Sequence, residues 1–274
     1  MMQDSPPHGG VRAVIFDVSG TVLDFGSRAP ARAFVELFAR HGVAITMDEA
    51  RKPMGAHKID HIRAILSEPS IAPRWEKAHG SRPTAEILDA LYAEFCPLQI
   101  ETLKGHCDVI PGVPQVTLEL RQRQIKIAST TGFDKAMMVD LIPQAIAGGY
   151  SPELWVTPDV VGKGRPAPWM AFYIAKQLDV YPMKTFVKVG DTPVDVAEGH
   201  AAGMWTVSVV RSGNEVGLSS DELEALPAEE RNARLSRARA RLASCGPHYI
   251  IDTVADLPPV VDAISARLAR GERP

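Results

Sequence analysis

The sequence predicts a doubly wound parallel α/β domain with a small all-helical unit inserted after its first strand. Three observations predict it. Short, β-branched apolar runs recur along the chain with little internal alternation. Helical periodicity separates the later runs, and between about Ser27 and Lys104 it stands alone. Apolar runs without alternation suit strands buried on both faces, as in a parallel sheet.

The first run, Val11 to Phe16, follows the segment MMQDSPPHGG. That segment lacks the charged and apolar regions of a secretory signal and reads as a mobile lead-in. Past Gly26 the alternation stops. Phe34, Leu37 and Phe38 share one helical face, and Thr46-Met-Asp-Glu49 has the form of a capping box. Pro53 and Gly55 break the pattern, and a new helix is predicted to begin near His57. Another opens at Pro83-Thr84-Ala85-Glu86 and carries Ile87, Leu88, Leu91 and Phe95. Residues 27–104 are therefore assigned to a helical cap domain, and 1–26 with 105–274 to the α/β core. A cap inserted there belongs over the carboxyl ends of the strands, where open α/β sheets place their sites.

The remaining strands are expected at Ile125–Ala128, Leu154–Val156, Phe186–Val189, Trp205–Val210 and Tyr249–Ile251. Helical patterns at Val113–Arg121 and Pro168–Leu178 fall between them. The charge-rich stretch Ser219–Leu242 reads as a solvated helical hairpin, with anion binding by its arginines as the alternative.

Composition excludes several classes. The chain has 274 residues, 45% hydrophobic and 23% charged, with net charge −3. This balance gives no general affinity for nucleic acid or an anionic membrane. No apolar stretch approaches the ~20 residues of a membrane span. Cys96, Cys107 and Cys245 show no metal-ligand spacing and suit reduced thiols in a cytoplasm.

Candidate chemistry gathers at strand ends. Asp17 follows the first strand, with Gly20 and Thr21 close behind; it is either a nucleophilic carboxylate or part of a plain Asx turn. Ser129-Thr-Thr131-Gly132 ends the second strand with hydroxyls and amides that can bind phosphate oxygens, or cap a helix. Gly162-Lys-Gly-Arg165-Pro-Ala-Pro168 presents a guanidinium, whose planar fork matches phosphate. Lys188-Val-Gly-Asp191-Thr-Pro-Val-Asp195 adds two carboxylates, and Asp17 with Asp191 suits a hard cation such as Mg²⁺.

Nucleophile, hydroxyl, cation and acidic pair, in that order, resemble the haloacid dehalogenase superfamily, whose phosphotransferases form an aspartyl-phosphate with Mg²⁺. One feature departs from its phosphatases: the acid expected two residues after the nucleophile is Ser19, and a hydroxyl is too weak an acid to protonate a leaving alkoxide. The cap segment Met54-Gly-Ala-His57-Lys58-Ile-Asp60-His61 offers another device. Lys58 falls near a helix start, where the dipole disfavours an ammonium, and a neutral lysine can form an imine. His61, three residues on, shares its helical face. The plain alternative is a surface lysine.

This cap segment, together with Val22-Leu-Asp-Phe-Gly26, the STTG run, GRPAPWM and Gly203-Met-Trp-Thr-Val207, resembles the phosphonatase (phosphonoacetaldehyde hydrolase) family. The resemblance implies a catalytic lysine at Lys58, a histidine at His61 and a nucleophile at Asp17. Thr131, Gly132 and Arg165 would bind the phosphoryl group, and Met54 would pack near the imine. Mg²⁺ would be held by Asp17, the backbone carbonyl of Ser19 and Asp191, with Asp195 in support. It also implies C–P bond hydrolysis and a homodimer, through cap helices bearing residues such as Phe34 and Phe38. Departures from the family pattern are Val18, Ser19, the Ala56-His57 pair and the extra cation Lys163. Ser19 can offer its hydroxyl to a metal-bound water or the acyl-phosphate, and His57 reads as solvent-facing or part of a proton network. Two alternatives stand beside this reading: a Mg-dependent phosphomonoesterase, and a non-catalytic phosphometabolite-binding relative.

Overall fold

The computed structural model describes residues 9–274; the first eight residues of the lead-in lie outside the described residues. Six strands form one parallel sheet: β1 (Ala13–Phe16), β2 (Lys126–Thr130), β3 (Leu154–Val156), β4 (Phe186–Gly190), β5 (Trp205–Val209) and β6 (Tyr249–Ile251). Their order across the sheet is β3-β2-β1-β4-β5-β6. Every expected apolar run forms a strand.

β1 is central and fully buried, and its side chains alternate between two cores. Val14 and Phe16 join the larger cluster, whereas Ala13 and Ile15 join a second one with Met170, Ala171 and Ile174. Register then fixes the site. Phe16 pairs with Ser129 of β2 and with Val189 of β4, so Asp17, Thr130 and Gly190 arrive at one level above the sheet. The strand order reverses between β1 and β4, the switch point at which open α/β sheets bind ligands.

Six helices run between β1 and β2: a run of five, α1 (Arg28–Arg40), α2 (Met47–Arg51), α3 (Lys58–Ser67), α4 (Ala72–His79) and α5 (Ala85–Leu103), followed by α6 (Val113–Gln122). The expected capping box is present at α2: the Glu49 amide donates to Thr46 Oγ1 (3.1 Å) and the Thr46 amide donates to Glu49 Oε2 (2.9 Å). His57 stands at the N-cap position of α3 without a side-chain capping bond, and Thr84 caps α5 by accepting from the Ile87 amide.

Phe34 and Phe38 are fully buried within the chain, which corrects their assignment to a dimer contact. Phe34 stacks between Phe95 (centroids 4.3 Å apart) and His61 (3.8 Å), and Phe38 meets Trp75 edge-on. Removing that much aromatic area from water is what holds the five helices together.

The stretch after β5 forms two helices, Ser220–Ala225 and Ala228–Ala243. Leu223, Ala238 and Leu242 bury against Val210 and Val216 while the charged face stays in solvent, in line with a surface hairpin. No helix among the described residues is long and apolar enough to cross a membrane.

Candidate active site

Asp17 sits at the end of β1 with its amide donating to the Val189 carbonyl (2.8 Å). The chain then turns tightly, and the Gly20 amide donates to the Leu23 carbonyl (2.7 Å). Gly20 has φ 90°, and a Cβ there would overlap the Asp191 carboxylate, so the turn can approach the fourth strand only with glycine. Thr21 Oγ1 donates to Asp191 Oδ1 (2.9 Å), and the Asn214 amide donates to Asp191 Oδ2 (2.7 Å).

One carboxylate oxygen from each of Asp17, Asp191 and Asp195 can lie within 4.8 Å of the others, and all three residues are buried. Burial and the neighbouring charge of Asp195 raise the pKa of Asp17. Burial, with Asp17 and Asp195 adding to it, raises Asp191 well above the usual range. Burial would also raise Asp195, but Arg165 and Lys188 outweigh it and hold its pKa low.

Arg165 is the hub beneath the nucleophile. Its Nη1 donates to Asp17 Oδ1 (2.6 Å) and lies 2.9 Å from Asp195 Oδ1. Its Nη2 donates to Thr130 Oγ1 (2.7 Å), and its Nε lies 3.1 Å from Glu198 Oε2. Lys188 Nζ completes the cluster, 2.7 Å from Thr130 Oγ1, 3.1 Å from Asp195 Oδ1 and 2.9 Å from Glu198 Oε2. The buried cluster thus holds four carboxylates (Asp17, Asp191, Asp195, Glu198) against two cations (Arg165, Lys188). Two formal negative charges remain, and buried charge is stable only when paired. An all-oxygen donor set with that excess fits a hard divalent cation.

Lys58 opens α3 from above and is 3% exposed. Its Nζ stands 4.8 Å from the Phe133 ring centroid and 5.7 Å from that of Phe34. Burial among these rings lowers its pKa to about 8, against the attraction of Asp17. His61 lies one turn on, fully buried. Its Nε2 contacts the Ala50 carbonyl (2.8 Å), which makes Nε2 the protonated nitrogen and leaves Nδ1 as a buried lone pair without a partner among the described residues. Burial, reinforced by the Lys58 charge, lowers its pKa well below 6.5.

A cavity of about 20 Å³ joins the two halves, lined by Asp17, Ser19, Met54, Lys58, Thr131 and Gly132 among others. The fit is close at two glycines. A Cβ on Gly132 would overlap the Ala56 carbonyl oxygen, and one on Gly55 would overlap Thr192 Oγ1. The α2–α3 connection therefore sits directly against the turns that follow β2 and β4.

Comparison with known proteins decides the family. The haloacid dehalogenase-like hydrolase family matches residues 11–203. The chain is 44% identical to the phosphonoacetaldehyde hydrolase of Nitratidesulfovibrio vulgaris over 97% of this chain and 95% of that one. It is 46% identical to that of Bordetella avium, covering 96% and 94%. The chain belongs to the phosphonoacetaldehyde hydrolase family. A solved structure from Oleispira antarctica, described as phosphonoacetaldehyde hydrolase-like, superposes with TM-score 0.94 at 40% identity, covering both chains in full.

Within this family site, some expectations need correction. The Ser19 hydroxyl is engaged inside the protein: it donates to Asp24 Oδ2 (2.6 Å) and lies 3.2 Å from Ser27 Oγ. Asp24 also accepts the Arg28 and Ala29 amides at the start of α1, so Ser19 fills a remaining lone pair of a buried cap. His57 takes the second of its two expected forms, since its Nε2 pairs with Asp134 Oδ1 (2.8 Å) rather than standing free in solvent. Lys163 is exposed, whereas Arg165 two residues on is buried.

Sequence reasoning missed Glu198 and Asn214, and gave Lys188 and Thr130, which lie inside its motifs, no part in the buried cluster. Two signals were present: a lysine inside the apolar strand FVKVG, and a glutamate one turn beyond Asp195 on a helix of small residues.

Proposed function

We propose that the protein hydrolyses the C–P bond of phosphonoacetaldehyde to acetaldehyde and phosphate, with Lys58 forming a Schiff base and Asp17 attacking phosphorus. The observation that carries this reading is the buried Lys58, whose ammonium is destabilised by its surroundings and which shares one cavity with Asp17. Domain organisation supports it, with residues 27–104 acting as the cap and the remainder as the core.

The neutral Lys58 amine attacks the aldehyde carbon, and water leaves as the imine forms. His61 Nδ1, the lone pair with no partner among the described residues, exchanges protons with the amine during addition and dehydration. An Asp17 oxygen then attacks phosphorus, the C–P bond breaks, and its electron pair flows into the iminium to give an enamine. No alkoxide forms, so the position after Val18 needs no acid. Protonation of the enamine carbon and hydrolysis of the imine release acetaldehyde, and water cleaves the aspartyl-phosphate. Thr131 and the Gly132 amide, which line the cavity, bind the phosphono oxygens; Arg165, whose donors face Asp17, Thr130 and Glu198, orients the nucleophile from beneath, and Met54 packs beside the imine.

Asp17, the Ser19 carbonyl and Asp191 would hold Mg²⁺, with Asp195 behind them; bound there it supplies charge neutralisation for an anionic nucleophile meeting an anionic phosphono group. The cavity has room for about one water, so substrate enters with the cap displaced. The three free cysteines suit a reducing cytoplasm, and the family resemblance supports a homodimer. Borohydride reduction with substrate should fix a two-carbon adduct or the reduced substrate on Lys58, read by peptide mass. Labelling at any other lysine, or at none, would contradict the assignment.

A further inference from the structure

Arg51, at the last turn of α2, is buried at the seam between cap and core and has no role in the chemistry above. Its Nη1 donates to the carbonyls of Gly26 (2.8 Å) and Ser27 (3.1 Å), in the segment leading into α1. It also reaches Asn214 Oδ1 (3.2 Å), and Nη2 donates to the Gly217 carbonyl (3.1 Å). All of these acceptors are neutral. A guanidinium buried against neutral acceptors is costly, with only the charges of Asp24, Asp48 and Asp191 set against its burial, so its placement calls for a reason beyond packing.

The segment that Arg51 grips supplies one. Ser212 Oγ donates to the Gly20 carbonyl (2.8 Å), and the Gly26 amide donates to the Ser212 carbonyl (2.7 Å). The Asn214 amide holds Asp191 Oδ2 (2.7 Å). Residues 212–217 therefore touch the nucleophile turn, the segment leading into α1 and a carboxylate of the acidic cluster together. Gly217 has φ 69°, and a Cβ there would stand 2.9 Å from Arg51 Cζ, so the loop is shaped around the guanidinium.

We propose that Arg51 is a positioning residue that couples cap closure to the divalent-cation site, acting through Asn214 on Asp191. With the cap seated, Arg51 pins Asn214, and the Asn214 amide fixes the Asp191 carboxylate in the orientation that accepts a cation. With the cap displaced, α2 carries the guanidinium away and Asp191 loses that constraint. This rests on the reading of Asp17, Asp191 and Asp195 as a Mg²⁺ site.

The test is thermal unfolding of the metal-stripped protein across a MgCl₂ titration, for wild type and Arg51→Met, without substrate. Ligand that binds only the folded chain stabilises it by RT ln(1 + [L]/Kd), so fitting the rise of Tm with MgCl₂ to that relation gives the Kd. The expected result is a Mg²⁺ Kd about tenfold higher in Arg51→Met, the usual scale for losing support behind a metal ligand. A role in stability alone would lower Tm equally at every MgCl₂ concentration and leave the fitted Kd in place, and that result overturns the proposal. Should Arg51→Met not fold, Asn214→Ala decides by the same criterion, since it keeps the amide on Asp191 and removes the Oδ1 that Arg51 holds. A wild-type chain whose Tm does not respond to MgCl₂ would instead overturn the cation-site reading itself.

Discussion

Replacing Lys58 with methionine should make the protein more stable at pH 7 while abolishing its chemistry. The folded chain holds Lys58 near pKa 8, because burial disfavours the ammonium, against an ordinary value of 10.5. Below pH 8 the side chain is protonated in both folded and unfolded chains, so the cost of burying the charge is fully present. Between pH 8 and 10.5 the folded chain is already neutral while the unfolded chain still binds the proton, and stability rises with pH. Above that window the cost is gone. A depression of about 2.5 units at 1.36 kcal/mol each gives a cost on the order of 3 kcal/mol at pH 7. Methionine fills a similar length without a charge, so Lys58→Met should raise Tm at pH 7 by on the order of 5 °C for a chain of this size. The gain should shrink by roughly half at pH 9.5. Calorimetric unfolding of both proteins at the two pH values checks this. A variant less stable than wild type at pH 7, or a gain that does not fall with pH, would refute the reasoning.

Ser19→Ala should keep kcat within a few-fold and lose about 1 kcal/mol in denaturant unfolding, because the hydroxyl is engaged by Asp24 and Ser27 inside the protein. Ser19→Asp should not yield an efficient phosphomonoesterase with p-nitrophenyl phosphate, since the new carboxylate would face Asp24 at hydrogen-bond distance; efficient ester turnover would contradict this. Gly132→Ala should fold and yet lose turnover by at least about 100-fold, because its Cβ meets the Ala56 backbone and holds the cap off the nucleophile. Wild-type rates in that variant would show that the backbone contact is dispensable.

The sheet was legible because its strands are buried on both faces, which leaves unbroken runs such as FVKV and WTVSVV. The helices between β1 and β2 were legible from caps and breakers: Thr46, Thr84, Pro53 and Gly55 all punctuate helices where expected. Asp17, Arg165 and Asp191 could be found because each ends or follows a strand in a fixed order. What sequence order could not supply was pairing across the sheet. Lys188 and Glu198 look like isolated charges until Arg165, 23 and 33 residues away, folds between them. The fate of the Ser19 hydroxyl was hidden for a related reason, since Asp24 reaches it only through a residue in the left-handed region (φ 53°). Phe34 and Phe38 mark an apolar helix face, but a face alone does not say whether a second chain or the same chain covers it. Here Phe95, His61 and Trp75 do.

The central claim is that Lys58 replaces the missing acid, and release of acetaldehyde from phosphonoacetaldehyde tests it most directly. With Mg²⁺ present, the wild-type protein should release acetaldehyde and phosphate in equal amounts, and Lys58→Ala, though folded, should release neither. Sustained acetaldehyde release by Lys58→Ala would contradict the account.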